Sequence, residues 1–135
     1  MKLCPYVLFA GNAEEALNFY KEVFGGKILM ISRFGEAPQK VDDDWKQKIM
    51  HSRLEFDGNI LMISDGFKGY QARTDGNIQL SVEIDTVEKL NVVFAKMSEG
   101  GRVTMPLAKQ FWGATFGMLQ DKFGISWMFN CEDKK

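Results

Sequence analysis

The chain has 135 residues, room for one ordinary domain. With 45% hydrophobic and 26% charged residues it can bury a core, which excludes a disordered chain. A formal net charge of -1 gives no electrostatic reason to expect nucleic acid or an anionic membrane as partner. No apolar run approaches the length of about 18 residues that a membrane-spanning helix needs. Met1-Lys2-Leu3 runs straight into a strand-like segment. Cys4 and Cys131 are therefore read as free thiols in a reducing cytoplasm.

The elements follow in chain order. Residues 3–10 are short and apolar and read as a strand. Asn12 stands where an N-cap belongs, with Glu15 three residues on as in a capping box. Ala16, Leu17, Phe19, Tyr20, Val23 and Phe24 then recur at helical spacing, and Gly25-Gly26 stops the helix. A strand is expected over 27–34 and a long polar loop over 35–47, which contains Pro38. Residues 48–56 alternate, with His51, Arg53 and Glu55 on one face and Met50, Ser52, Leu54 and Phe56 on the other. Asp57-Gly58-Asn59 is a hairpin turn and 60–64 a fourth strand. A glycine-bearing linker starts at Asp65 and runs to 77.

The pattern then restarts. Residues 78–84 read as a strand with Ile78, Leu80, Val82 and Ile84 on its apolar face and Gln79, Ser81 and Glu83 on the other. Thr86 caps a helix that carries Val87, Leu90, Val93, Phe94 and Met97 at helical spacing, and Gly100-Gly101 ends it. Strands are expected over 102–107, 112–121 and 125–131. Glu14 and Tyr20 match Glu88 and Phe94, while Gly25-Gly26-Lys27-Ile28 recurs as Gly100-Gly101-Arg102-Val103, one residue later in frame. Both halves read strand, helix, strand, strand, strand, the signature of a duplicated unit. The expectation is one domain over 1–135, with module one at about 3–65, a linker at about 66–77 and module two at about 78–131.

One helix covers one face of each small sheet. Two modules side by side would curl their sheets around a shared cleft that collects the polar faces. That places His51, Arg53 and Glu55 as candidate catalytic residues, with His51 as base and Arg53 as oxyanion partner. Tyr6, Arg53, Gln79, Glu83, Trp112 and Asn130 are candidate ligand-binding residues. The alternatives are an Arg53–Glu55 or Arg53–Glu83 ion pair that merely stabilises the sheet, and Trp112 as packing.

The run from Asn12 to Tyr20 resembles the first-helix signature of the vicinal-oxygen-chelate (glyoxalase-like) superfamily. Residues 48–55, 101–107, 111–114 and 121–128 resemble its PhnB-like branch. The resemblance implies an α+β fold: two βαβββ modules forming a curved, incompletely closed mixed sheet with helices outside. It also implies a homodimer, which the Trp and Met content suits. Superfamily enzymes hold one divalent metal with His or Glu from the first and last strands of each half. Counted from the helices, those positions fall near Pro5, Met62 to Ser64, Gln79 and Met128, with Asn130 two residues on. None is a His or a carboxylate, so no cofactor is expected, a divalent metal at His51, Glu55 and Glu83 being the alternative. No glycine-rich turn of the kind that builds a nucleotide or methyl-donor site follows a strand. The expected function is a small-molecule-binding member lacking the usual metal. Its alternatives are a metal-dependent lyase, isomerase or transferase acting on a small oxygenated metabolite, and a protein that sequesters a ligand without chemistry.

Overall fold

Alternation and helical spacing translate directly into secondary structure in the computed structural model, which describes residues 1–73 and 76–134. The chain divides into two units, Met1–Ala72 and Arg73–Lys135. The first contains β1 (Tyr6–Phe9), α1 (Ala13–Phe24), β2 (Lys27–Arg33), β3 (Ile49–Phe56) and β4 (Asn59–Asp65). The second contains β5 (Leu80–Glu83), α2 (Val87–Ser98), β6 (Arg102–Gln110), β7 (Ala114–Gln120) and β8 (Ser126–Glu132). Strand order is β1-β4-β3-β2 in one sheet and β5-β8-β7-β6 in the other, so the repeat seen in the sequence is also a repeat of topology. In each sheet the first strand pairs parallel with the last and the remaining ladders are antiparallel. The fold is α+β, two βαβββ modules with a mixed four-stranded sheet each. Among the described residues no helix is long and apolar enough to cross a membrane.

Each helix buries its apolar stripe on one face of its own sheet. Ala13, Ala16, Leu17, Tyr20 and Val23 of α1 are buried, as are Phe9, Leu54, Leu61 and Ile63 of the strands. In the second unit Leu90, Val93, Phe94 and Met97 are buried with Leu119, Trp127 and Phe129, and Phe94 meets Phe129 edge to face at 5.8 Å. Full burial of a Leu- or Phe-sized side chain contributes about 1.5–3 kcal/mol, so each stripe holds its helix on the sheet. Gly25 ends α1 at φ 67°, a left-handed conformation that costs a β-carbon-bearing residue about 1 kcal/mol.

The two helices start differently. Thr86 Oγ1 accepts the Lys89 N–H at 3.2 Å, the expected cap of α2. Asn12 makes no side-chain cap to α1, contrary to the capping-box expectation. Asp65 takes the role from the far end of β4. Its Oδ1 accepts the N–H groups of Gly11 (2.8 Å) and Ala13 (3.0 Å), and its Oδ2 accepts that of Ile49 (3.0 Å). Asp65 is therefore the last residue of β4 and is buried, rather than the first of a linker. Asp121 does related work in the second unit, accepting from the Phe123 and Ile125 N–H groups and from Trp127 Nε1.

Several expected strands are shorter, β1 among them at Tyr6–Phe9 against the expected 3–10. Ile78 and Gln79 precede β5, and Ile78 is 83% exposed. Phe111, Trp112 and Gly113 form the β6–β7 turn, closed by Gly113 N–H on Gln110 O at 3.2 Å, so Trp112 is not in a strand. Of the expected linker, positions 74 and 75 lie outside the described residues. The 35–47 loop is folded onto its own unit and contains short 3-10 turns at Phe34–Glu36 and Asp43–Trp45. Gly35 N–H to Lys46 O (2.9 Å) closes its neck, Trp45 Nε1 donates to Gly66 O (3.1 Å), and Lys68 reaches Asp42 and Asp44.

Candidate functional site

The face of each sheet turned away from its helix carries the polar side chains. In the first unit the register sets Tyr6, Met62, Arg53 and Met30 in one row across β1, β4, β3 and β2. Tyr6 Oη lies 2.9 Å from His51 Nδ1, with the rings tilted at 32° and 5.5 Å apart. One ring nitrogen is thereby used. Either the phenol donates to a neutral Nδ1 and Nε2–H is the free donor, or Nδ1–H donates to the phenol and Nε2 is free to take a proton. Arg53 is exposed and has no hydrogen-bond or ion-pair partner among the described residues. The Arg53–Glu55 pair weighed from sequence is not formed. Glu55 Oε1 instead accepts the Gly58 N–H at 2.9 Å, which ties it to the β3–β4 turn where Asp57 and Gly58 adopt φ 50° and 81°.

In the second unit one row runs Glu83, Asn130, Phe116, Ala108 and the neighbouring row Ser81, Met128, Met118, Met105. Asn130 Nδ2 donates to Glu83 Oε1 at a long 3.4 Å. Asn130 Oδ1 is buried and has no hydrogen-bond partner among the described residues. Trp112 packs edge-on to Phe116 at 5.7 Å and to Phe111 at 5.2 Å. Gln79 stands exposed before β5, apart from any strand row. Of the residues singled out from sequence, the structure thus joins Tyr6 with His51, and Glu83 with Asn130.

Strand phase tests the metal-ligand positions. Pro5 shares the phase of Val7 and Phe9, on the helix side. The open-face residues in the corresponding rows are Tyr6 with Met62, Leu8 with Ser64, Ser81 with Met128 and Glu83 with Asn130. Thioethers, hydroxyls and a single carboxylate already bonded to an amide do not fit a hard divalent cation. Among the described residues no three His, Cys, Asp or Glu side chains gather into a metal-holding group.

A cleft of about 360 Å³ opens elsewhere in the first unit, at the start of α1, lined by Gly11, Asn12, Glu15, Gln47, Lys48 and Asp65 among others. Its charged groups are largely engaged. Lys48 Nζ donates to Gly11 O at 2.8 Å. The Arg33 guanidinium grips Glu14 in a two-pronged ion pair and donates to Gln47 O at 2.7 Å. That guanidinium holds the Glu14 carboxyl below its ordinary range, chiefly through the hydrogen bond. This wall stabilises the β1–α1 turn. Sequence reading missed both Asp65 and the Arg33–Glu14 pair; the available signal was a lone acidic residue closing the apolar run of β4.

The repeated βαβββ topology defines a glyoxalase-like fold. A glyoxylase/bleomycin resistance protein/dioxygenase domain from Frankia sp. EAN1pec has the same fold, with a TM-score of 0.68 at 14% identity over 98% of both chains. The family model described as 3-demethylubiquinone-9 3-methyltransferase matches residues 1–129, and the chain belongs to this PhnB-like family. Protein PA1353 from Pseudomonas aeruginosa is similar at 38% identity and a TM-score of 0.90, over 99% of both chains. A PhnB protein from Bacillus cereus is similar at 31% identity and a TM-score of 0.82, over 97% of this chain and 99% of its own.

Proposed function

We propose that the chain binds a small organic molecule bearing a carboxylate, phosphonate or carbonyl oxygen at Arg53 and the Tyr6–His51 pair, without a divalent metal. The observation that carries this reading is the exposed Arg53, which has no partner among the described residues and lies beside a hydrogen-bonded Tyr–His pair. An unpaired planar fork suits an oxyanion, and a phenol and an imidazole add directional hydrogen bonds. Met30, Met62 and Leu8 on the same face supply apolar contact for the ligand body. Methyl transfer forms no part of this reading. At the helix starts, where a nucleotide-type cofactor would sit, Asp65 already takes the Ala13 N–H and Thr86 the Lys89 N–H. The protein is further read as a cytoplasmic homodimer, a reading that exposed Leu29, Val103 and Phe111 support.

Calorimetry and thermal shift against small carboxylates and phosphonates test the proposal. Arg53→Met is expected to weaken binding by about 10- to 100-fold, the worth of a charge-assisted hydrogen bond. If no such compound raises the melting temperature, the binding reading fails, because a ligand specific to the folded state must stabilise it. Catalysis is the second reading. It is favoured by the Tyr6 bond, which orients His51 as a general base with Arg53 as oxyanion partner. Turnover of a bound compound that His51→Ala abolishes would establish it.

A further inference from the structure

We propose that the second unit carries a separate binding site for a protonated amine, formed by Glu83, Asn130 and the Phe116–Trp112 aromatic pair. Three observations converge on this. Asn130 Oδ1 is a buried acceptor with no donor among the described residues, the reverse of what a settled sheet face shows. Its amide nitrogen donates to Glu83 at the long distance of 3.4 Å, and that carboxylate is otherwise exposed and open to a ligand. Two acceptors side by side, one anionic, call for a group that brings several N–H donors and a positive charge, which an alkylammonium does.

The neighbours suit the same ligand. Phe116 lies in the row of Glu83 and Asn130, and Trp112 packs edge-on to it, so an aromatic face is available to a cation. The other residues of that row and the next one towards the chain end include Ala108, Glu132, Ala114 and Gln110, with no Lys or Arg. Arg102 stands on β6 opposite Gln120, at the far end of the sheet. Met118 and Met128 in the neighbouring row supply a pliable apolar wall, able to shift and uncover the amide oxygen. The first unit differs in sign, its open face presenting Arg53, so the two sites select opposite charges and the amine site does not rest on the oxyanion reading.

The test is calorimetry and thermal shift of the full chain with benzylammonium, with benzyl alcohol as the neutral analogue and benzoate as the anionic one. Benzylammonium is expected to bind at least tenfold more tightly than benzyl alcohol. Glu83→Gln should remove that preference, while Arg53→Met leaves it intact and affects benzoate alone. Asn130→Leu should abolish benzylammonium binding without lowering the melting temperature of the free protein, since it removes a buried unsatisfied acceptor and gives up only one long, exposed bond to Glu83. Equal binding of benzyl alcohol, absence of benzylammonium binding, or a lower melting temperature for the free Asn130→Leu protein would each overturn the proposal. Failure of benzoate to bind the unaltered chain, with benzylammonium still bound, would count against the first-unit site and not this one.

Discussion

Arg33 and Glu14 face each other through two parallel hydrogen bonds of 3.0 and 2.9 Å, joining the end of β2 to the first turn of α1. The pair also explains how the long loop is seated, since the same guanidinium donates to Gln47 O at the loop's return. Its consequence for stability is dependent on pH. The folded Glu14 carboxyl is held below its ordinary value of 4.5 by Arg33. A lowered acid contributes stability that is present above the unfolded value and lost as pH falls through the folded one. Glu14→Gln is therefore expected to lower the urea midpoint at neutral pH. The gap to wild type should narrow below about pH 4.5 and vanish once both states are protonated. Because the pair is half exposed, the gap corresponds to less than about 1 kcal/mol.

Asp65 satisfies three backbone donors from two different segments. Asp65→Ala strands them and is expected to cost about 3 kcal/mol by urea denaturation, among the larger single-site losses. Asp65→Asn keeps one acceptor oxygen and should cost less, since it can still serve either the Gly11–Ala13 side or Ile49.

The unequal helix starts predict unequal cap mutants. Thr86→Ala removes a bonded cap and should destabilise by about 1 kcal/mol. Asn12→Ala removes a side chain that caps nothing and should leave the midpoint within about 0.5 kcal/mol of wild type. Thermal or urea melts of the two variants side by side decide it.

Gly101 sits against backbone. A β-carbon there would press on the Gln120 carbonyl oxygen and the Asp121 main chain, neither of which is the end of a flexible side chain. Gly101→Ala is expected to cost about 1–3 kcal/mol, read as a lower melting temperature. The matching Gly26→Ala, whose β-carbon would lie 2.8 Å from the Glu55 carbonyl oxygen, should behave alike. Agreement between the two would show that the repeated Gly-Gly turn is retained for close approach of backbones.

Much of the fold was legible in the order of residues because alternation and helical spacing are local signals. His51, Arg53 and Glu55 share a face on β3 by the period of a strand, and Leu90, Val93, Phe94 and Met97 bury together by the period of a helix. Errors fell where a distant group intervened. Asn12 has the composition of a cap, but Asp65, 52 residues from Ala13 along the chain, takes the N–H groups.

The sequence by itself determined the duplicated βαβββ unit, its helix-facing core and the family resemblance, because each rests on contacts between residues near in the chain or on motif identity. Only the tertiary structure decided which polar residues meet. Tyr6 reaches His51 across 45 positions, and Asn130 reaches Glu83 across 47. Glu55 turns back to Gly58 instead of pairing with Arg53. Partner choice of this kind depends on strand order and register, which only the paired sheet supplies.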